Sequence, residues 1–479
     1  MSEEMIQTAQ VAGSFYPSDK TELQAIINTC LKKANVPAQS DDDILGIVVP
    51  HAGYVYSAQT AAFAYKSIQG KKYDVAIILA PSHHAYFHGA SVFSGDKFRT
   101  PLGDIEVDKA FAIQLTRNGR NKVVRSEIGF TVTDDKQPEH AAEVQLPFLQ
   151  TVQPDLPIVP IIIGSDDAET IFALSHSIVE TAKETGKRIL IVASSDLSHY
   201  HSASDAEIRD SRFISYFSKF DYFGMEIGIL TKSCEACGYV PAIIMMQTAE
   251  ALGANKSIPL QYSNSSTSIF VKSDSSRVVG YFSGLIAKSA KSGFPLLPDF
   301  SDSEKSYILS LAKTSVEDEV RKTKSEFNLS TDPKFAETIC PAFVTLNKNN
   351  QLRGCIWHII GSVNLNSEIA TSATMAASKD NRFLPVDTSE LSSLEYEVTI
   401  LSRMKFIQDI SEIEIGKHGV YLKYGSWKAS AIFLPQVAPE NNWNTTQLLE
   451  NLSLKAGLSK DAYKESLSQI YVFEATIIK

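Results

Sequence analysis

An α/β domain built on a largely parallel sheet, followed by a smaller α+β domain, is the fold class this sequence predicts. Three observations lead there. Short Ile- and Val-rich runs alternate with helical patterns through residues 1–288. A stretch of Ser, Lys, Gly and Pro without periodicity then interrupts the chain, and beyond it strands and helices follow in a different order. The length of 479 residues also exceeds what one hydrophobic core holds together, so at least two domains are expected.

The apolar runs come first in the argument. Ile44 to Val49, Val75 to Ala80, Ile158 to Ile163 and Ile189 to Ala193 are each bounded by polar or turn residues. That is the pattern of strands buried on both faces. Helical periodicity lies between them, over Lys20 to Ala34, Ala58 to Ile68, Asp108 to Asn118 and Ala168 to Thr185. Strand alternating with helix places helices on both faces of a parallel sheet. Val278 to Phe282 closes this first domain, residues 1–288, and residues 289–303 read as a linker. The second domain, residues 304–479, opens with a helix expected to run to about Phe327. It then mixes strands (Ala342 to Leu346, Glu395 to Leu401, Val420 to Lys423, Ala431 to Phe433) with helices (Asn366 to Ser378, Thr445 to Ala456).

Composition narrows the function classes. Hydrophobic residues are 44% and charged residues 21%, the proportions of a folded globular chain. The formal net charge is -10, with no basic block and no interleaving of arginines and aromatics, so nucleic acid is not an expected partner. Met1 to Val11 contains two glutamates and no long apolar run, unlike a signal peptide. No stretch reaches the length needed to cross a bilayer. The five cysteines, at 30, 234, 237, 340 and 355, are odd in number and read as free thiols of a cytoplasmic protein.

The histidines carry the chemistry. Eight of the ten precede the linker, and seven of those occupy four short segments. His51 follows the first strand in Pro50-His51-Ala52-Gly53-Tyr54. His83, His84 and His88 follow the second, starting at Pro81-Ser82-His83-His84. His140 lies in Glu139-His140-Ala141-Ala142-Glu143. His199 and His201 follow Ser194-Ser195-Asp196-Leu197-Ser198. Ligands of open α/β sheets bind outside the carboxyl ends of the strands, so one fold rule brings three of these segments to one rim. Imidazole binds transition metals, with carboxylate or thiolate completing the shell. Glu143, Asp196 and Cys237 are the candidate anions. A helix would aim His140 and Glu143 together, and Asp196 would orient His199 or His140. His140, Asp196, His199 and Glu143 thereby become the candidate acid–base groups. A single such histidine is more often an ordinary hydrogen-bonded residue, and His88, His176 and His201 stay in that class. Cys234-x-x-Cys237 lacks the second pair that a structural zinc site needs, and a redox disulfide is not expected there.

In the second domain, the polar turn Asn347 to Gln351 precedes Leu352-Arg353-Gly354-Cys355-Ile356. Arg353 either presents its guanidinium to a carboxylate or phosphate ligand or caps a sheet edge. Cys355 is either part of that binding turn or a small buried hydrophobe. Trp357 could offer a stacking face, and His358 has no obvious second ligand nearby.

At Gly13-Ser14-Phe15-Tyr16-Pro17, the four histidine segments and Cys237-Gly238-Tyr239, the sequence resembles the Memo family across about residues 5–288. The resemblance implies a fold like that of extradiol ring-cleaving dioxygenases and one bound transition-metal ion, with iron the first choice and copper or zinc the alternatives. Matched by motif, the ligands are His51, His83 and Cys237, and His140, Asp196 and His199 are other pocket positions. Phe343-Val344-Thr345-Leu346, Arg353-Gly354-Cys355-Ile356, Arg382-Phe383-Leu384-Pro385 and Leu434-Pro435-Gln436-Val437-Ala438 resemble the AMMECR family across about residues 304–479. The pairing is similar to the AmmeMemoRadiSam system. It implies a radical-SAM protein as partner and an accessory or modifying role; the substrate, a small molecule or a peptide, is left open. The expected function is a metal-dependent, dioxygenase-like oxidoreductase; the alternative is a metal-binding or scaffold protein without turnover.

Overall fold

The computed structural model describes residues 4–36, 42–119, 121–130, 139–290, 297–336, 338, 340–357 and 364–479. The Trp357 side chain, His358 and much of the 289–303 linker fall outside the described residues. The chain divides into two compact units, Met1–Phe294 and Pro295–Lys479.

A nine-stranded mixed sheet forms the centre of the first unit. Its middle is parallel: Asp43–Val49, Ile189–Ser194, Val75–Pro81 and Ile158–Ile163 lie side by side in that order. Nearly every residue of these strands is buried. That is why their sequence is continuous Ile, Val, Leu and Ala rather than alternating. The flanks differ from the expected parallel pattern. Val278–Lys288 joins Asp43–Val49 antiparallel, and Ala90–Phe93 joins Ile158–Ile163 antiparallel. Short or half-exposed strands such as Ala90–Phe93, Val123–Ser126 and Lys256–Asn264 carry too little apolar signal to be read in advance. A separate three-stranded sheet joins Ile6–Thr8, Lys97–Thr100 and Gly103–Glu106.

Helix starts follow local chemistry. The side chains of Asp19, Asp108, Asp167 and Ser202 each accept a backbone N–H of the first turn that follows. The four central parallel strands all end at one edge, where Pro50-His51, Ser82-His83, Gly164-Ser165-Asp166 and Ser195-Asp196 emerge.

Two four-stranded antiparallel sheets make the second unit. One orders Gln351–Trp357, Ala342–Lys348, Leu394–Leu401 and Ala475–Ile478; the other Lys405–Phe406, Ser468–Phe473, Gly419–Tyr424 and Ala429–Phe433. Each has its own core, around Val344, Ile369 and Val398 in one and Leu422, Leu449 and Val472 in the other. The opening helix spans Asp302–Arg321 and stops short of Phe327. Lys322 turns left-handed at φ 55°, and the Asp318 carboxylate takes the Ser325 N–H and the Thr323 and Ser325 hydroxyls. A side chain that captures the following backbone in this way offers it an alternative to the helix. Among the described residues, no helix is long and apolar enough to cross a membrane.

Candidate metal centre

The strand ends bring His51, His83 and Cys237 together. A donor atom from each lies within 4.8 Å of the other two. His140 completes the cluster, its ring centroid 5.3 Å from His51 and 5.0 Å from His83.

The hydrogen bonds settle which nitrogens are free. Carbonyl oxygens only accept. The Ser194 hydroxyl therefore gives its proton to the Ala141 carbonyl at 2.7 Å. Gln145 Nε2 donates to the Pro50 carbonyl at 3.0 Å and to Ser194 Oγ at 2.8 Å. The remaining lone pair on Ser194 takes the Nδ1 proton of His51, at 2.9 Å. His51, only 2% exposed, must then face Cys237 Sγ through its unprotonated Nε2, at 3.1 Å. His83 follows the same logic: its Nδ1 donates to Glu139 Oε1 at 3.0 Å, which leaves Nε2 as its free nitrogen. Carboxylate and hydroxyl partners behind an imidazole are how metal-ligating histidines are oriented.

Electrostatics differ from one group to the next. Burial, followed by the charge of His83, pushes His51 down to about 3, so it is neutral at neutral pH. Burial and then His51 lower His140 to about 4. At His83 burial opposes the charged ring, but the Glu139 hydrogen bond and charge outweigh it and hold the pKa above its ordinary value. Burial would raise Glu139, yet His83 and backbone amides bring it down to about 2. Burial raises the Cys237 thiol, with the nearby Asp196 charge adding to it. The Asp196 backbone N–H points at Cys237 Sγ from 3.3 Å, a placement that suits a sulfur bearing negative charge.

Not every sequence candidate takes its expected role. Asp196 Oδ1 accepts the His51 backbone N–H at 2.8 Å. Among the described residues its carboxylate makes no hydrogen bond to His140 or His199, which act on it through charge alone. Asp196 thus fixes the turn that carries His51; the i to i+3 spacing to His199 is misleading because His199 enters the strand His199–His201 instead of a helical turn. Glu143 is turned to a structural task. Its Oε1 accepts the Val11 N–H at 2.9 Å and the Tyr16 hydroxyl at 2.6 Å, and its Oε2 the Gln10 N–H at 2.7 Å. This fastens the N-terminal segment so that Phe15 lies 4.3 Å from the His140 ring, centroid to centroid. Glu139, next to His140, is the carboxylate of the site. Sequence spacing put both Glu139 and Glu143 within one helical turn of His140; in the structure Glu143 opens the short helix Glu143–Gln145, whereas Glu139 precedes it. Ser194 and Phe15 lie within the quoted segments, and Gln145 two residues beyond one, but they carry no metal-ligand chemistry that would have singled them out.

His201 pairs with Glu235 at 2.9 Å, and His88 stands against exposed Tyr86. Cys234 is buried away from the donor group, its thiol pushed up to about 12 by burial. All five cysteines are free thiols.

In the second unit, Arg353 is turned inward rather than presented to a ligand. Its Nε and Nη2 grip Glu390 at 3.0 and 2.8 Å, and Nη1 donates to the Leu384 carbonyl at 3.0 Å. Gly354 explains the inward course of this strand: a Cβ there would fall 2.2 Å from the Ala376 carbonyl oxygen. Cys355 donates its backbone N–H to Asp380 and accepts the Thr345 hydroxyl at its sulfur. Arg353→Ala should therefore destabilise this unit by about 2–3 kcal/mol, read as a lower thermal midpoint in calorimetry. Arg353 holds Glu390 well below the usual carboxylate range. A depressed carboxylate stabilises the fold above its unfolded pKa, near about 4.3, and that stability is lost as pH falls further. The variant should lose this part of the acid sensitivity along with the midpoint.

Comparison with known proteins places these findings. Residues 7–285 match the family described as Memo-like protein, and residues 309–478 match AMMECR1. A MEMO1 family protein of Methanosarcina mazei is 36% identical over 280 residues, covering 58% of this chain and 97% of that protein. One from Nitrosopumilus maritimus is 34% identical over 281 residues, with 58% and 98% covered. Among solved structures, uncharacterized protein PH0010 from Pyrococcus horikoshii is 29% identical, covers 37% of this chain and 92% of its own, and has a TM-score of 0.34.

Proposed function

The chain belongs to the Memo-like protein family, with an AMMECR1 domain behind the Memo-like one, and from that premise we propose that its first domain is a metal-dependent oxidoreductase of extradiol-dioxygenase-like fold. One transition-metal ion, iron in the first instance and otherwise copper or zinc, is held by His51, His83 and Cys237. The observation that carries this is the convergence of the three donors, with the opposite nitrogens of both histidines already committed to Ser194 and Glu139. Imidazole with thiolate suits these metals and disfavours magnesium.

When bound, the ion supplies Lewis acidity and, for iron or copper, a redox couple. The chain's own groups do the rest. Glu139 fixes the His83 ring. Asp196 fixes the backbone of His51. His140, unprotonated at neutral pH and packed on Phe15, is the proton acceptor beside the site, and His199 lies within charge range of His51 and Asp196. The cysteine takes the place of the carboxylate of a two-histidine, one-carboxylate site, so the substrate need not be a ring that is cleaved. The pairing of the two domains supports a radical-SAM protein as partner. Elemental analysis of protein purified without oxygen should find one iron, copper or zinc per chain; no stoichiometric transition metal would overturn the assignment.

A further inference from the structure

Beside Cys237 opens a cavity of about 250 Å³, between the ends of strands Val75–Pro81 and Ile158–Ile163 and the start of helix Tyr239–Ala251. Its polar wall comprises Ser82, Ser165, Asp166 and Tyr239, with Tyr86 at the lip and Cys237 beside them. None of the lining residues is a lysine, arginine or histidine.

The charge pattern here is one-sided. Asp166 is exposed and accepts the Tyr239 hydroxyl at 2.7 Å. An ionised carboxylate has room for about four hydrogen bonds, so this one leaves most of its capacity open. Among the described residues no cation pairs with Asp166. Tyr86 is 82% exposed, a large aromatic face with no apolar cover.

We propose that this cavity takes the ammonium group of an amine substrate, gripped by Asp166 between the rings of Tyr86 and Tyr239. The proposal rests on the function proposed above and names the substrate class of that same site, because a molecule seated here lies against Cys237. Ammonium is the group that gains from both features at once: a charge-assisted bond to the carboxylate and the negative faces of the two rings. An anion would be repelled by the Asp166 carboxylate, and a neutral alcohol would gain neither. The cavity lies just below the range of about 300–1,000 Å³ that holds drug-sized ligands, so it suits a single ring or a short chain.

Three probes of similar size test the charge preference: tyramine, 4-ethylphenol and 4-hydroxyphenylpropionate. They are titrated by calorimetry into the full chain, metal-loaded and metal-stripped. Tyramine is expected to bind at least about tenfold more tightly than 4-ethylphenol, as one charge-assisted hydrogen bond supplies, and the acid to bind most weakly. Asp166→Asn should bring tyramine down to the level of 4-ethylphenol. Tyr239→Phe keeps the ring but releases the carboxylate, and should leave tyramine binding equal or tighter, an outcome that simple damage to the fold would not give. His51→Ala should lose metal yet still bind tyramine, which separates this proposal from the metal assignment. No binding by any probe, equal affinity for all three, or an unaltered tyramine affinity in Asp166→Asn would each overturn it.

Discussion

His51→Ala is expected to strip the first domain of stoichiometric metal while leaving it folded. The imidazole is one of three converging donors. The donor atoms of His83, Glu139 and His140 also lie within 4.8 Å of one another, but Glu139 Oε1 is already taken by His83 Nδ1 and the backbone N–H groups of His140 and Ala141, so this second group is the poorer holder. Disturbing a group behind a ligand already weakens metal binding by about 10–100-fold, so removing the ligand itself should exceed that. The fold should survive, because the variant leaves unpaired one lone pair on Ser194 and the Cys237 sulfur, a loss of about 1–3 kcal/mol that leaves the central sheet untouched. The cysteines give the sharper contrast. Cys237→Ser replaces a soft donor with a hydroxyl and should weaken binding as severely. Cys234→Ser should leave it intact, because that sulfur is buried against Gly228, where a Cβ would come within 2.7 Å of it. The check is the metal-to-protein ratio after dialysis at several free-metal concentrations. Full occupancy in His51→Ala, or equal losses in the two cysteine variants, would refute the ligand set.

How much of this was legible beforehand follows from where each signal resides. The central strands were readable because both their faces are buried, so Ile and Val persist without alternation, and the strand-end rule then placed His51 and His83 on one rim. Cys237 sits on a loop before a helix, and nothing local marks it as closer to those histidines than Cys234. The family motif distinguished it, and its sulfur lies within 4.8 Å of a ring nitrogen of each. The roles of Glu139 and Glu143 were not legible at all. Both are four or fewer residues from His140, and their directions depend on the N-terminal segment folding back over a distance of more than 120 residues to meet Glu143. Arg353 stayed between a ligand-binding and a structural reading for a similar reason. Its partner Glu390 is 37 residues away, and no periodicity predicts that pairing. Local pattern reports burial and backbone form well; it says little about which distant side chain claims a charge.

Gly238→Ala should weaken metal binding without removing a single ligand. Gly238 follows Cys237 and leads into the helix Tyr239–Ala251, with its N–H bonded to Ser195 Oγ at 3.0 Å. A Cβ at this position would lie 2.1 Å from the Ser194 carbonyl oxygen and 2.6 Å from Ser195 Cβ. The glycine's φ is -101°, which any residue adopts, so the constraint is space and not backbone strain. Ser194 cannot yield: it ends a fully buried central strand, and its hydroxyl holds His51. The Cys237 loop must therefore move, by about 1 Å to restore an ordinary contact, which exceeds the roughly 0.5 Å tolerance of a functional site. Metal affinity should fall by about 10–100-fold, the size of loss that follows when a ligand's support is disturbed, and thiolate-to-metal absorption should weaken with it. Overpacking should also lower stability by about 1–3 kcal/mol, so a control of matched damage is needed. Gly228→Ala supplies one, since its Cβ crowds Cys234 and Tyr216 at 2.7 and 2.8 Å. That variant should lose comparable stability yet keep its metal. Matched losses of affinity in the two variants would mean that Gly238 supports the fold only, whereas a loss confined to Gly238→Ala would place the close approach of this loop to Ser194 among the determinants of the metal site.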